Sequence, residues 1–143
     1  MYHKVIIVGY LGRDPEMRYT PQGVPVTNFT VATNRRWTNQ DGTQGEETVW
    51  FRVTAWRKLA ELCNEYLSKG RPVLVEGVLR PDPETGGPRI WTGNDGVPRA
   101  SFEVMARTVR FLGRREERAE AAPSDLSLEE PPPGIIEENE IPF

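Results

Sequence analysis

The sequence predicts an all-β domain, a five-stranded Greek-key barrel with one short helix, followed by an acidic tail. Three observations lead there. Five segments rich in β-branched and aromatic residues are separated by Gly, Pro, Asn and Asp punctuation. One segment, between the third and fourth of them, switches to helical spacing. The charge is also uneven along the 143 residues. Residues 1–115 hold 17 Lys/Arg against 12 Asp/Glu, which is +5. Residues 116–143 hold one basic residue, Arg118, against nine acidic ones, which is −8 and restores the net −3 of the chain. Such asymmetry predicts a basic binding domain with an acidic tail.

The first strand is KVIIVGYLG, residues 4–12, short and β-branched. DPEMRYTPQGVP follows as turn-rich chain punctuated by Pro15, Pro21, Gly23 and Pro25. VTNFTVATNRRW, 26–37, alternates with Phe29, Val31 and Thr33 on one side, and 38–47 is a hairpin loop of Asn, Asp and Gly. TVWFRVTAW, 48–56, is the most informative strand. Because side chains alternate faces, Val49, Phe51, Val53 and Ala55 form a core face and Trp50, Arg52, Thr54 and Trp56 the other. In KLAELCNEYLSKG, 58–70, Leu59, Leu62, Cys63, Tyr66 and Leu67 recur at helical spacing, with Gly70 as the stop. RPVLVEGVLR, 71–80, and ASFEVMARTVRFLG, 100–113, complete the strands. Residues 81–99 between them form a Pro/Gly loop or extended hairpin that carries Ile90 and Trp91. This order is that of the OB architecture. The expected divisions are a domain over 1–113, a disordered Pro-rich acidic linker over 114–136 and an acidic tip over 137–143.

Catalysis finds little support. No nucleophile–base pair or carboxylate pair stands out, and GYLG is too short for a phosphate-binding loop. His3 has no ligand company, and no Cys/His spacing suits zinc, so no metal or cofactor is expected. The lone Cys63 fits a reducing compartment, and no run is apolar for the length of a membrane helix. The chain reads as a binding protein rather than an enzyme.

The four tryptophans carry the functional signal. Two indoles and the Arg52 guanidinium on a non-core face suit sequence-tolerant single-strand binding, where aromatic faces stack bases and cations track phosphates. Trp37 ends a strand beside Arg35 and Arg36, and Trp91 lies between Arg89 and Arg99. The alternative is that these rings are half-buried barrel or interface residues. The tail carries a second signal. Ile141, Pro142 and Phe143 stand behind Glu137, Glu138 and Glu140, a tip suited to a pocket with an apolar floor and a basic rim. A plain acidic solubiliser is the competing reading.

The chain resembles the bacterial single-stranded-DNA-binding protein family. The resemblance rests on HKVIIVGYLGRDPEMRYTPQG, NFTVATNRRW, KLAELCNEYLSKG, VLVEGVLR and the terminal EIPF. It covers residues 3–112 and the last seven. It implies base stacking by Trp37, Trp50, Trp56 and Trp91, and phosphate contacts by Lys4, Arg18, Arg52, Lys58, Lys69 and Arg80, to which the neighbour of Trp37 adds Arg35. It also implies a homotetramer of OB domains, and a tail that recruits replication, repair and recombination enzymes. A cytoplasmic, nucleoid-associated location without a membrane follows. Two features depart from the family pattern. PDPETGGPR lengthens the loop before Trp91, which puts the placement of that ring in question, and the linker is short, which limits the reach of the tail. Two rivals have other uses for an OB domain: a primosomal adaptor dimer, which need not carry an acidic tip, and an OB module of an RNA enzyme, which would need a catalytic domain.

Overall fold

Seven strands and one helix follow one another in the computed structural model, which describes residues 1–113. They are β1 (Val5–Leu11), β2 (Glu16–Tyr19), β3 (Pro25–Thr38), β4 (Gln44–Trp56), α1 (Lys58–Tyr66), β5 (Pro72–Leu79), β6 (Arg89–Thr92) and β7 (Pro98–Phe111). Five of them close into a ring, β1–β5–β7–β4–β3 and back to β1. All neighbours in the ring are antiparallel except β4 and β7, which run parallel from Phe51–Phe102 to Thr54–Met105. This is the expected OB-type barrel with its single short helix between the third and fourth barrel strands.

Closure brings backbones close together. A β-carbon on Gly9 would strike the carbonyl of Ala32, and one on Gly77 the carbonyl of Met105. Gly77 follows a register irregularity at Glu76 in the β5–β7 ladder, the kind of kink that lets a sheet turn a corner. Alternation then fills the interior. Ile7 and Leu11 of β1, Phe29 and Val31 of β3, Val53 and Ala55 of β4, Val73 and Val75 of β5, and Val104, Ala106 and Val109 of β7 are all buried.

The helix closes one end of this core. Arg57, at φ 60, turns the chain out of β4, and its N–H donates to the Pro25 carbonyl at 2.9 Å. Ala60 and Cys63 face inward, and the buried Thr27 hydroxyl donates to the Ala60 carbonyl at 2.7 Å. That bond satisfies a polar group which would otherwise be costly inside the barrel. Burial pushes the Cys63 thiol up, so it stays protonated and acts as a small apolar residue.

Four sequence expectations are refined. The helix ends at Tyr66, whose carbonyl accepts from the Arg71 guanidinium at 3.0 Å. Gly70 instead makes the following turn at φ +84. The 38–47 loop shrinks to five residues, 39–43, because cross-strand pairing continues to Thr38–Gln44. Residues 16–19, read as turn, pair with β3 as β2. Residues 89–92 form β6, so the long segment before β7 is an extended hairpin rather than open loop. Local turn signals could not report these pairings, because the partners lie on other segments. The linker, the acidic tip and its residues Glu137 to Phe143 lie outside the described residues.

Phe29 is buried at the centre of the core. Its replacement by Ala is expected to cost about 3–5 kcal/mol in a denaturant melt. A loss below about 1 kcal/mol would show that the barrel interior can collapse around the missing ring.

Candidate nucleic-acid interface

The outward face of β4 holds the candidate site, and register places the rest around it. Trp50, Arg52, Thr54 and Trp56 alternate with the buried residues of β4 as the sequence predicts. Trp50 is 53% exposed, Arg52 is exposed and Trp56 is half-buried. Thr54 is the exception. It is buried on this face, and its hydroxyl donates to Asn28 Oδ1 at 2.8 Å across to β3. Trp50 and Trp56 are six residues apart, about 20 Å along the strand. Arg52 lies between them.

Each ladder extends one row of this face. Trp56 pairs with Val26, which pairs with Arg18 of β2, so an exposed guanidinium flanks the half-buried indole two strands away. Arg52 pairs with Thr30 on one side and Glu103 of β7 on the other. Arg80 follows β5, and its N–H donates to the Glu103 carbonyl at 2.8 Å, which sets it beside the same row. Trp91 pairs with Arg99, and Arg99, Ser101 and Glu103 share one face of β7. The lengthened loop therefore leaves Trp91 on the same sheet face as Arg52, at 38% exposure.

Trp37 is different. It shares the parity of Phe29 and Val31, the face that lines the barrel interior lower down β3. Beyond the barrel this face opens to solvent, because β3 and β4 continue as a two-stranded arm. There Trp37 is 38% exposed, with the Arg35 guanidinium 4.8 Å from its ring centroid. Its Nε1–H donates to Asn39 Oδ1 at 2.9 Å. The arm turn is pinned by Asp41, whose carboxyl is held below its usual range by hydrogen bonds from the Thr43 hydroxyl and backbone N–H.

The remaining cations are dispersed. Lys58 begins α1, one residue beyond the Arg57 turn. Lys69 lies in the turn after the helix, where its backbone N–H donates to Asp14 Oδ1 at 2.8 Å. Lys4 pairs with Glu76 at 3.5 Å and faces an open pocket of about 690 Å³ that Val78 and Arg107 also line. It is not brought onto the tryptophan face.

Much of the exposed arginine is already paired. Arg18 meets Glu16, Arg35 meets Glu47, Arg36 meets Glu46, Arg89 meets Glu103 and Arg99 meets Asp95, at 2.6–3.8 Å. Their arginines are more than half exposed, so each pair contributes at most about 1 kcal/mol. A polyanion could take over such guanidiniums at small cost.

Sequence reasoning missed Tyr10. It is 59% exposed and pairs with Ala32, which pairs with Trp50, so it extends the Trp50 row onto β1. The alternation of VIIVGYL already pointed it outward. Only the β1–β3 pairing puts it beside the tryptophan row.

Comparison with known proteins agrees with the barrel fold. The model of the single-strand binding protein family matches residues 2–112. Single-stranded DNA-binding proteins of Neisseria meningitidis serogroups A and B are each 41% identical over 121 residues, which is 85% of this chain. The chain spans 66% of the length of these relatives. Among solved structures, the Plasmodium falciparum SSB complex with ssDNA superposes with a TM-score of 0.64 at 26% identity. That match covers 79% of this chain and 97% of the other.

Proposed function

The chain belongs to the single-strand binding protein family, and we propose that it binds single-stranded DNA with little sequence preference, protecting exposed strands during replication, repair and recombination. The observation that carries this reading is the outward face of β4, where the exposed Trp50 and the half-buried Trp56 flank the exposed Arg52. Any base offers a π-face, and stacking contributes about 1–3 kcal/mol per base. Phosphate contacts add counterion release, which makes affinity fall with salt. In this reading Trp37, Trp50, Trp56 and Trp91 stack bases, while Arg18, Arg35, Arg52, Lys58, Lys69 and Arg80 track phosphates. Lys4 would serve a strand that passes round the β1–β5 side. The reaction is binding alone, so no cofactor enters it.

Assembly into a homotetramer is part of the proposal. Its support in the fold is β1. Ile6 and Val8 are exposed apolar residues on its outward face, and residues 5–9 pair with β5 only. An exposed apolar strand with an open edge is a surface that a second copy can cover. The tail reading rests on sequence. Ile141-Pro142-Phe143 behind Glu137, Glu138 and Glu140 would dock replication, repair and recombination enzymes where the strand is coated, at the nucleoid in the cytoplasm.

Three measurements test this reading. Trp50→Ala or Trp56→Ala should weaken oligo-dT binding by about 1–3 kcal/mol in a fluorescence titration, with affinity of every form falling as salt rises. Unchanged affinity together with a large drop in melting temperature would return the two rings to a structural role. Light scattering on the intact chain should give four copies, and a stable monomer at micromolar concentration would refute assembly. Deleting Ile141-Pro142-Phe143 should leave dT affinity nearly unchanged and abolish capture of a tail-binding repair exonuclease. Full capture by the shortened chain would remove the tip as anchor.

A further inference from the structure

Ten of the twelve glycines of the described domain fall into three groups, and Gly87 and Gly93 meet only the Thr85, Asp95 and Arg99 side chains. Six of them, Gly42 and Gly96 among them, have positive φ and open space where a β-carbon would go, so the backbone alone requires glycine there. Gly9 and Gly77 face a neighbouring backbone. Gly12 and Gly45 belong to neither group. Their φ lies outside the left-handed region, and what a β-carbon would strike is an indole.

At Gly45 the added carbon would fall under 3.0 Å from Cε2, Nε1 and Cζ2 of Trp37, its register partner on β3. Cε2 is a ring-fusion atom and the nearest of the three. The glycine therefore meets the indole through its face, since an approach from the edge would bring perimeter atoms closest. At Gly12 the added carbon would fall under 3.0 Å from Cζ3 and Cη2 of Trp50 and 3.1 Å from Thr30 Oγ1. Both rings lie against the sheet in space that a side chain would occupy. Gly45 lies inside β4, where glycine weakens a strand through chain entropy and lost packing. Gly12 lies in the bend just after β1. Neither backbone requires glycine, so the rings are what the glycines accommodate.

We propose that Gly12 and Gly45 are positioning residues for base stacking: each leaves a bare seat on which Trp50 or Trp37 is held at a fixed angle before DNA arrives. A ring already fixed has less freedom to lose on stacking a base. At Trp37 the seat is completed by the hydrogen bond that Nε1–H donates to Asn39 Oδ1 and by Arg35, which Glu47 holds at 2.8 Å. The inference rests on the single-strand-binding reading of the same face.

A mutant cycle on the intact chain tests it, with oligo-dT as the probe and tryptophan emission as a second readout. Gly45→Ala should shift the emission of the DNA-free protein and weaken dT binding by about five- to tenfold, the lower part of what one lost base stack costs. Its melting temperature should stay at the parent value. In a Trp37→Ala background the same change should alter affinity by less than about twofold, because the two residues act through one ring. Gly12→Ala with Trp50→Ala should repeat the pattern at the second seat. Gly87→Ala, in the other hairpin, where an added carbon would meet only Thr85 Oγ1 at 3.6 Å and no ring, should leave affinity in place. Equal losses in the Trp37→Ala background, an equal loss from Gly87→Ala, or parent affinity with unshifted emission would each overturn the proposal. A parent chain that fails to bind dT, with emission still shifted by Gly45→Ala, would overturn the binding reading and reduce the seats to packing.

Discussion

Closure of the barrel between β1 and β3 rests on two register pairs, Tyr10 with Ala32 and Leu11 with Val31, extended by the Gly12 N–H to the Thr30 carbonyl at 3.1 Å. The rest of the molecule depends on that seam. Because β1 is also paired to β5, the seam gives β3 and β4 a fixed inside and outside. The close approach at Gly9 is its steric condition. Once the ring is shut, the parity of every barrel strand is decided, and polar or aromatic residues out of phase with the core must face outward.

The seam also shapes the tryptophan face. It sets Tyr10 in the Trp50 row and brings Gly12 against the edge of the Trp50 indole. Two hairpin arms leave the barrel from the same end, because β4 and β7 run parallel. One carries Trp37 on a continuation of the interior face, and the other carries Trp91 on the outward face. The described chain thus presents aromatic rings on both sides of its sheet.

The fold was legible because its determinants are local. Val53 and Ala55 are buried and Trp50 and Arg52 exposed, as alternation alone indicated, since successive side chains on a strand point to opposite faces whatever the partner. The helix was visible as a change of period, and Cys63 and Ala60 do face the core. The family, too, could be read from the motifs of residues 3–112.

The sequence by itself determined which residues share a face of each strand, where the one helix falls, and the contrast between a basic domain and an acidic tail. Only tertiary structure decided which faces meet. It ended the helix at Tyr66, lengthened the β3–β4 arm, made strands of residues 16–19 and 89–92, added Tyr10 to the tryptophan row and kept Lys4 away from it. It also showed that Gly12 and Gly45 lie against indole rings. The reason is physical: alternation is a property of one chain segment, whereas register, close approach and ring seating are properties of two segments far apart in sequence. Gly45 cannot be told from a turn glycine such as Gly42 until the strand bearing Trp37 is laid beside it.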